Sequence, residues 1–242
     1  MLAEENFTDF KCPYCGDMVS FPSDCAGFAQ ACPNCTESVI VPEEASAVGR
    51  RLPIPMTTAR LVLRRLQAGD WHDLLECHSD EELFRYVDGR PLGEEEILRW
   101  LESDGHVKLT TPNQPLFLGI EVPNGGKLIG YLSLNFTDSQ RLQAALSIFL
   151  GRSHQRQGFA TEAVAAMLDF CFNGIKLHRV TAACDSRNVA ACRLLERAGM
   201  RREGEFLKDH FADGAWFNTV SYAVLSEDCC KGNDRPTPRT AT

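Results

Sequence analysis

From Thr58 onward the apolar positions fall into repeating strand and helix periods. Arg60–Leu66 (RLVLRRL) alternates and predicts a strand. Asp70–Ser79 and Glu94–Ser103 show helical spacing behind polar or acidic starts, which predicts two helices. Leu116–Val122, Lys127–Asn135 and Ala144–Leu150 read as three strands, the first two joined by a turn at Pro123-Asn124-Gly125-Gly126. A helix over Ala160–Phe172 places Val164, Met167, Leu168 and Cys171 on one face. A strand at Arg179–Cys184 and a helix at Asn188–Ala198 follow, with Gly199 suited to the C′ position of that helix. Two last strands, near Met200–Phe206 and Trp216–Leu225, flank a turn at Asp213-Gly214. The order βααβββαβαββ predicts an α/β domain, a mixed sheet covered by helices.

Residues 1–42 differ: they are turn-rich and too few to build a core alone. Residues 43–55, with two prolines and no apolar period, read as a linker to a domain spanning 56–226. The tail 227–242, ending RPTPRTAT, is expected to be mobile.

Four of the 11 cysteines form two CxxC pairs, Cys12/Cys15 and Cys32/Cys35, with 16 residues between the pairs. That spacing suits a structural Zn2+ held by four thiolates, and metal binding would then supply much of the folding free energy of so small a module. Two disulfides or redox-active pairs are the alternative, without a thioredoxin-like pattern to support them. Four thiolates leave zinc no open position, so no catalysis is expected there. Cys25, between the pairs, reads as a spare or buried thiol.

Charge narrows the partners. The chain carries 33 Asp and Glu against 25 Lys and Arg, a net −8, and residues 1–55 hold eight acidic against three basic side chains. Phosphate neutralisation needs a basic face, so this balance argues against a nucleic-acid partner. No apolar run approaches the roughly 20 residues of a membrane helix. The start, MLAEENFTDFK, lacks the basic and apolar regions of a secretory signal. A soluble, cytoplasmic protein without a membrane partner is the expectation.

The stretch Gln155-Arg156-Gln157-Gly158-Phe159-Ala160-Thr161 lies between a predicted strand and an amphipathic helix. A helix start offers unpaired N–H groups and the positive end of the dipole, which suits a diphosphate. Gly158 permits unusual backbone angles and Ala160 leaves room for close approach. By spacing alone this is only a candidate anion cradle, since a glycine near a helix start is commonplace.

Here the sequence resembles the GNAT superfamily of acyl-CoA-dependent N-acetyltransferases, whose cofactor motif Q/R-x-x-G-x-G/A is matched by Gln155, Gly158 and Ala160. The run GFATEAVAAMLDFCF is similar to the subgroup that includes the RimJ and RimL ribosomal-protein acetyltransferases. That subgroup's second motif, N-x-x-S-x-x-x-x-E-x-x-G-F, is met by Asn188, Glu196 and Gly199, with Ala191 at the serine and Met200 at the phenylalanine. TARLVLRRLQAGDW and EGEFLKDHFADGAWFNTVSYAVL extend the resemblance over about Met56 to Leu225. The N-terminal segment resembles short bacterial zinc ribbons of the form CPxCG…AGxxxxCPxC, which would serve as a docking module for a protein partner.

The resemblance implies direct transfer of acetyl from acetyl-CoA to a primary amine in a ternary complex. Residues Gln155, Arg156, Gln157, Gly158, Phe159, Ala160 and Thr161 would hold the diphosphate. Backbone groups of Phe149 and Leu150 would pair with the pantetheine in a splayed gap beside the strand Arg179–Cys184. Asn188 would touch the cofactor near its thioester, or act as a helix N-cap, or both. The acceptor implied first is a protein N-terminus or other protein amine. A small-molecule amine is the alternative, and a catalytically weak acyl-CoA-binding adapter is a third.

An attacking amine must lose a proton. His210, before Phe211, is the preferred base, because some RimL-like enzymes have a glutamate there and an imidazole titrates near 6.5; packing beside Phe211 is its other reading. Glu121 is a second candidate, or a solvated strand-end charge. His154 and Glu162 flank the loop as structural residues, and Trp71 and Trp100 either shape the acceptor cleft or pack the core. Leu195, Ala191 and Ala145 stand where relatives place a tyrosine acid, a serine acid and a carboxylate. Cys192 is turned by about 100° from Ala191 and is not expected to inherit that role.

Overall fold

The computed structural model describes residues 7–42, 50–87, 89–104, 115–123, 125–138, 142–212 and 214–230. The N-terminal segment forms an antiparallel pair, β1 (Phe7–Lys11) and β2 (Met18–Pro22), and a three-stranded sheet of β3 (Ala29–Ala31), β4 (Ser38–Ile40) and β5 (Arg50–Arg51). Phe10, Val19, Val39 and Val41 bury against Cys12 and Cys32 in a small core of their own. The expected linker 43–55 is partly overturned, although 43–49 lie outside the described residues. Arg50 and Arg51 pair with Ile40 and Val39, and Leu52 and Ile54 pack on the main core. An Arg-Arg pair carries no alternation, so the pattern could not announce this strand.

The main body is an eight-stranded sheet. Its strands are β6 (Met56–Thr57), β7 (Val62–Arg65), β8 (Leu116–Val122), β9 (Lys127–Phe136), β10 (Gln143–Leu150), β11 (Arg179–Asp185), β12 (Arg201–Ala212) and β13 (Ala215–Leu225), in the order β12-β13-β11-β10-β9-β8-β7-β6. Neighbours are antiparallel except β10 and β11. On one face lie α1 (Trp71–His78) and α2 (Glu94–Asp104), which bury Leu74, Ile97 and Leu101 against Leu66 and Leu128. On the other lies α3 (Phe159–Asp169), whose Ala163, Val164, Met167 and Leu168 meet Leu63, Ile120, Ile129 and Leu146. Leu128 and Ile129 serve opposite layers because successive strand residues point to opposite faces. After β11 comes α4 (Val189–Arg197), and a short helix, α5 (Ser226–Cys230), follows β13.

Three boundaries depart from the pattern. The α3 helix stops at Asp169 and continues as a π turn, Phe170–Gly174, that buries Phe170, Cys171 and Phe172. Strand β12 runs past Phe206 to Ala212 through two register shifts, which break the alternation that would have marked it. The expected tail begins with α5, and 231–242 lie outside the described residues, as do Asn124 and Asp213 of the two expected turns. Among the described residues no helix is long and apolar enough to cross a membrane.

The feature that positions the site is the β10–β11 junction. The two strands pair only at Gln143↔Arg179, Ala144↔Val180 and Ala145↔Thr181. Beyond that, Leu146–Leu150 pair with β9 alone, and β11 pairs with β13 alone. The β10 end is drawn tightly onto β9 at Gly130, where a Cβ would overlap the Phe149 carbonyl oxygen and lie 2.9 Å from Leu150 Cα. Gly130→Ala is therefore expected to cost about 1–3 kcal/mol through overpacking. Thermal unfolding should show a lowered midpoint; an unchanged one would contradict this contact.

Candidate active site and a four-cysteine cluster

Between β10 and α3 the chain folds back on itself through two amide side chains. Gln155 Nε2 donates to the Leu150 carbonyl at 3.0 Å, and Gln157 Nε2 donates to the Ser153 carbonyl at 2.8 Å. Arg156 and Gly158 both adopt positive φ, +61° and +84°, and Gly158 caps α3. The first-turn amides of Phe159, Ala160 and Thr161 thus have no acceptor within the helix. They lie at its positive end, open to an anion.

A residue missed from the sequence completes this corner. Arg60 donates through Nε to Glu162 at 2.7 Å and through Nη1 to the Gln157 carbonyl at 3.0 Å, and its guanidinium lies 4.6 Å from the Phe159 ring centre. The Arg60 amide and the Thr58 hydroxyl also donate to Glu162, at 2.9 and 2.6 Å. Burial opposes the charge on Glu162, but these donors together hold its carboxyl below the usual range. Glu162 is thus structural, as expected, and Arg60 sets a cation beside Gly158. The contact spans about 100 residues of chain, so no local pattern could reveal it.

On the α1/α2 face the end of β10 joins a cluster of aromatic rings. Phe149 stacks on His78 at 5.0 Å and on Tyr131 at 5.3 Å, and Phe84 lies 5.3 Å from both His78 and Phe149. Trp100 meets Tyr131 and Phe117 edge-on, and Trp71 joins the same cluster, so both tryptophans pack. Burial pushes the His78 imidazole down to about 4. Leu150 faces the opposite core with Leu146.

At the far wall Asn188 accepts the Ala191 amide at 3.0 Å, so it is the N-cap of α4. Asp185, buried at the end of β11, binds Arg187 at 2.6 Å, and Arg187 lies over the Phe217 ring. Arg187 holds the Asp185 carboxyl below its ordinary range, with a smaller contribution from His210. His210 pairs with Phe217 in the β12–β13 register and is half-buried, within electrostatic range of Asp185. Glu121 is placed differently from expectation. It sits at a bulge of β8, two strands from β10, ion-paired with Arg64, which also binds the buried Asp70 at 2.8 Å. Its carboxylate is engaged in fixing the start of α1. Leu195 is buried in the core, and Cys192 turns its sulfur to within 3.6 Å of Cys184 on β11.

In the N-terminal segment the sulfurs of Cys12, Cys15, Cys32 and Cys35 all lie within 4.8 Å of one another. The two CxxC turns match. Gly16 N donates to the Cys12 carbonyl and Thr36 N to the Cys32 carbonyl, at 2.9 and 2.8 Å, and both residues take positive φ. Sulfurs 3.7 Å apart (Cys12–Cys35) and 3.9 Å apart (Cys15–Cys32) are too distant for disulfides. They match the edge, about 3.8 Å, of a tetrahedron with metal–sulfur bonds near 2.3 Å. This cluster could hold a metal ion.

Residues 60–201 match the family described as Acetyltransferase (GNAT) domain. An N-acetyltransferase of Bacillus subtilis, YnaD, described as uncharacterized, is 28% identical over 176 residues, 72% of this chain and 98% of that protein. Spermidine N(1)-acetyltransferase of Vibrio cholerae is 24% identical over 167 residues, 69% of this chain and 94% of that enzyme. The structure of a spermidine N-acetyltransferase from Vibrio cholerae with CoA and spermine superposes with a TM-score of 0.63, covering 72% of this chain and 99% of that one at 22% identity. The chain belongs to the GNAT family. It is an acetyl-CoA-dependent acetyltransferase. The match is to the superfamily domain and does not single out the RimJ/RimL-like subgroup.

Burial of His78 has a consequence for acid stability. Its folded pKa of about 4 lies below the roughly 6.5 of an unfolded chain. Between these values the unfolded chain binds the extra proton, so stability falls as pH drops from about 6.5 to 4 and is level outside that window. His78→Phe should flatten this part of the profile in denaturant titrations; an unchanged slope would contradict the buried neutral imidazole.

Proposed function

We propose that the protein transfers acetyl from acetyl-CoA to a primary amine of a small molecule, with polyamines as the leading class. The observation that carries this is the β10–β11 divergence beside the Gly158 loop: a strand edge that β11 leaves uncovered, next to a helix start that suits an anion. In this reading the segment Gln155–Thr161 holds the diphosphate, with Arg60 adding a cation. Backbone groups around Phe149 and Leu150, other than the Leu150 carbonyl that already holds Gln155, pair with the pantetheine, and Asn188 lies near the thioester.

A protein amine is what the RimJ/RimL-like resemblance favours. A small amine is favoured by the relative whose named substrate is spermidine, and by a net charge of −8, which attracts polycations. In the reaction the amine nitrogen attacks the thioester carbonyl, the C–N bond forms and the C–S bond breaks with its electron pair on sulfur. His210 takes the proton that the amine sheds, and water protonates the thiolate. Holding both reactants in place contributes at most about 7–11 kcal/mol.

Thiol release from acetyl-CoA with spermidine, small amines and N-terminal peptides tests the reading. Spermidine is expected to give the higher kcat/KM; turnover confined to peptides would overturn it. Gly158→Glu places a carboxylate where the diphosphate lies and is expected to abolish CoA binding in calorimetry, whereas unchanged affinity would refute the loop assignment.

We also propose that Cys12, Cys15, Cys32 and Cys35 hold a structural Zn2+ in a ribbon-like module. Support comes from the two matched turns and the sulfur spacing. Metal analysis should find about one zinc per chain, lost in Cys12→Ser with Cys15→Ser; no zinc in the wild type would refute the site.

A further inference from the structure

Among the described residues, Nδ1 of His78 is a buried side-chain nitrogen without a hydrogen-bond partner, in a residue only 3% exposed. Four other elements close on the ring: Phe84 at 5.3 Å from the turn Glu81–Phe84, Trp100 at 6.2 Å from α2, Tyr131 at 6.0 Å from β9 and Phe149 at 5.0 Å from β10. The Tyr131 hydroxyl lies 3.3 Å from Nε2, so one ring nitrogen is satisfied and the other is not. Leaving a buried nitrogen unpaired costs about 1–3 kcal/mol, and a phenylalanine would fill an aromatic box without that cost. A donor brought in by the substrate would remove that cost, provided one of these rings turns aside to admit it.

The place of the ring says which partner. His78 stacks on Phe149, at the end of β10 that β11 leaves unpaired. It lies on the α1/α2 face, opposite the α3 core. With the cofactor held from the α3 loop, this face remains for the acceptor.

We propose that Nδ1 of His78 accepts an N–H of the reacting amine and so turns the nitrogen lone pair toward the thioester carbonyl at the end of β10. The inference rests on the amine-acetyltransferase reading above. With the Nε2 proton directed to the Tyr131 oxygen, Nδ1 presents its lone pair. A carboxylate in this position would bind an ammonium and raise its pKa, opposing attack. A neutral imidazole among aromatic rings does the reverse: it offers an acceptor while desolvation favours the uncharged amine. The imidazole stays neutral at working pH because burial disfavours its cation. His78 orients the nucleophile; the proton passes to His210, and the C–S electron pair leaves on the CoA sulfur.

Steady-state kinetics of the full chain with acetyl-CoA and spermidine test this. His78→Phe keeps the aromatic box and is expected to raise the spermidine KM about tenfold, the worth of one lost hydrogen bond, with the acetyl-CoA KM unchanged. His78→Asn, whose Oδ1 falls near the place of Nδ1, should recover most of the loss. An unchanged spermidine KM in His78→Phe, or His78→Asn no better than His78→Phe, overturns the proposal. In the CoA-bound wild type, the 15N resonance of Nδ1 should shift on adding spermidine, and no shift also overturns it. Wild type that binds CoA yet acetylates no amine would instead defeat the function reading.

Discussion

A parallel strand pair that separates after three residue pairs leaves main-chain donors and acceptors facing a gap inside a sheet. Backbone groups without partners are costly when dry and are ordinarily found at sheet edges. Here Leu146–Leu150 pair with β9 alone, so the side of β10 turned to β11 is an internal edge, and Gly130 lets the β9 and β10 backbones meet. An extended ligand carrying amides, as pantetheine does, can complete such an edge in the manner of an added strand.

The ends of the slot have opposite electrostatic character. The α3 end gathers first-turn amides, a helix dipole and the Arg60 guanidinium, a local cation on a chain of net charge −8. Glu162 would be unwelcome beside a diphosphate, but its bonds to Thr58 and Arg60 spend its charge on tying the turn between β6 and β7 to α3. On the opposite face, His78, Phe84, Tyr131 and Phe149 form a dry, uncharged corner.

Much of this was legible in the chain. The Gln155–Thr161 stretch, the Asn188 cap and the Gly199 terminus each use local chemistry, and local chemistry is written in adjacent residues. Helix and strand periods gave the layer order for the same reason. Boundaries were lost where geometry departs from a fixed period, as in the register shifts of β12 and the π turn after α3. Arg50 and Arg51 joined a sheet through backbone bonds that no side-chain pattern records.

By itself the sequence determined the element types, the glycine turn that opens α3 and the two CxxC turns, because helix periodicity, glycine tolerance and thiol spacing act within a few residues. Only the tertiary structure decided that Glu121 belongs to Arg64, that Arg60 reaches the Gly158 loop and that the His78 ring stacks on Phe149. These pairings join residues 57 to 97 positions apart. They depend on which strands become neighbours and on which face each side chain emerges, and both are settled by packing the whole sheet against its helices.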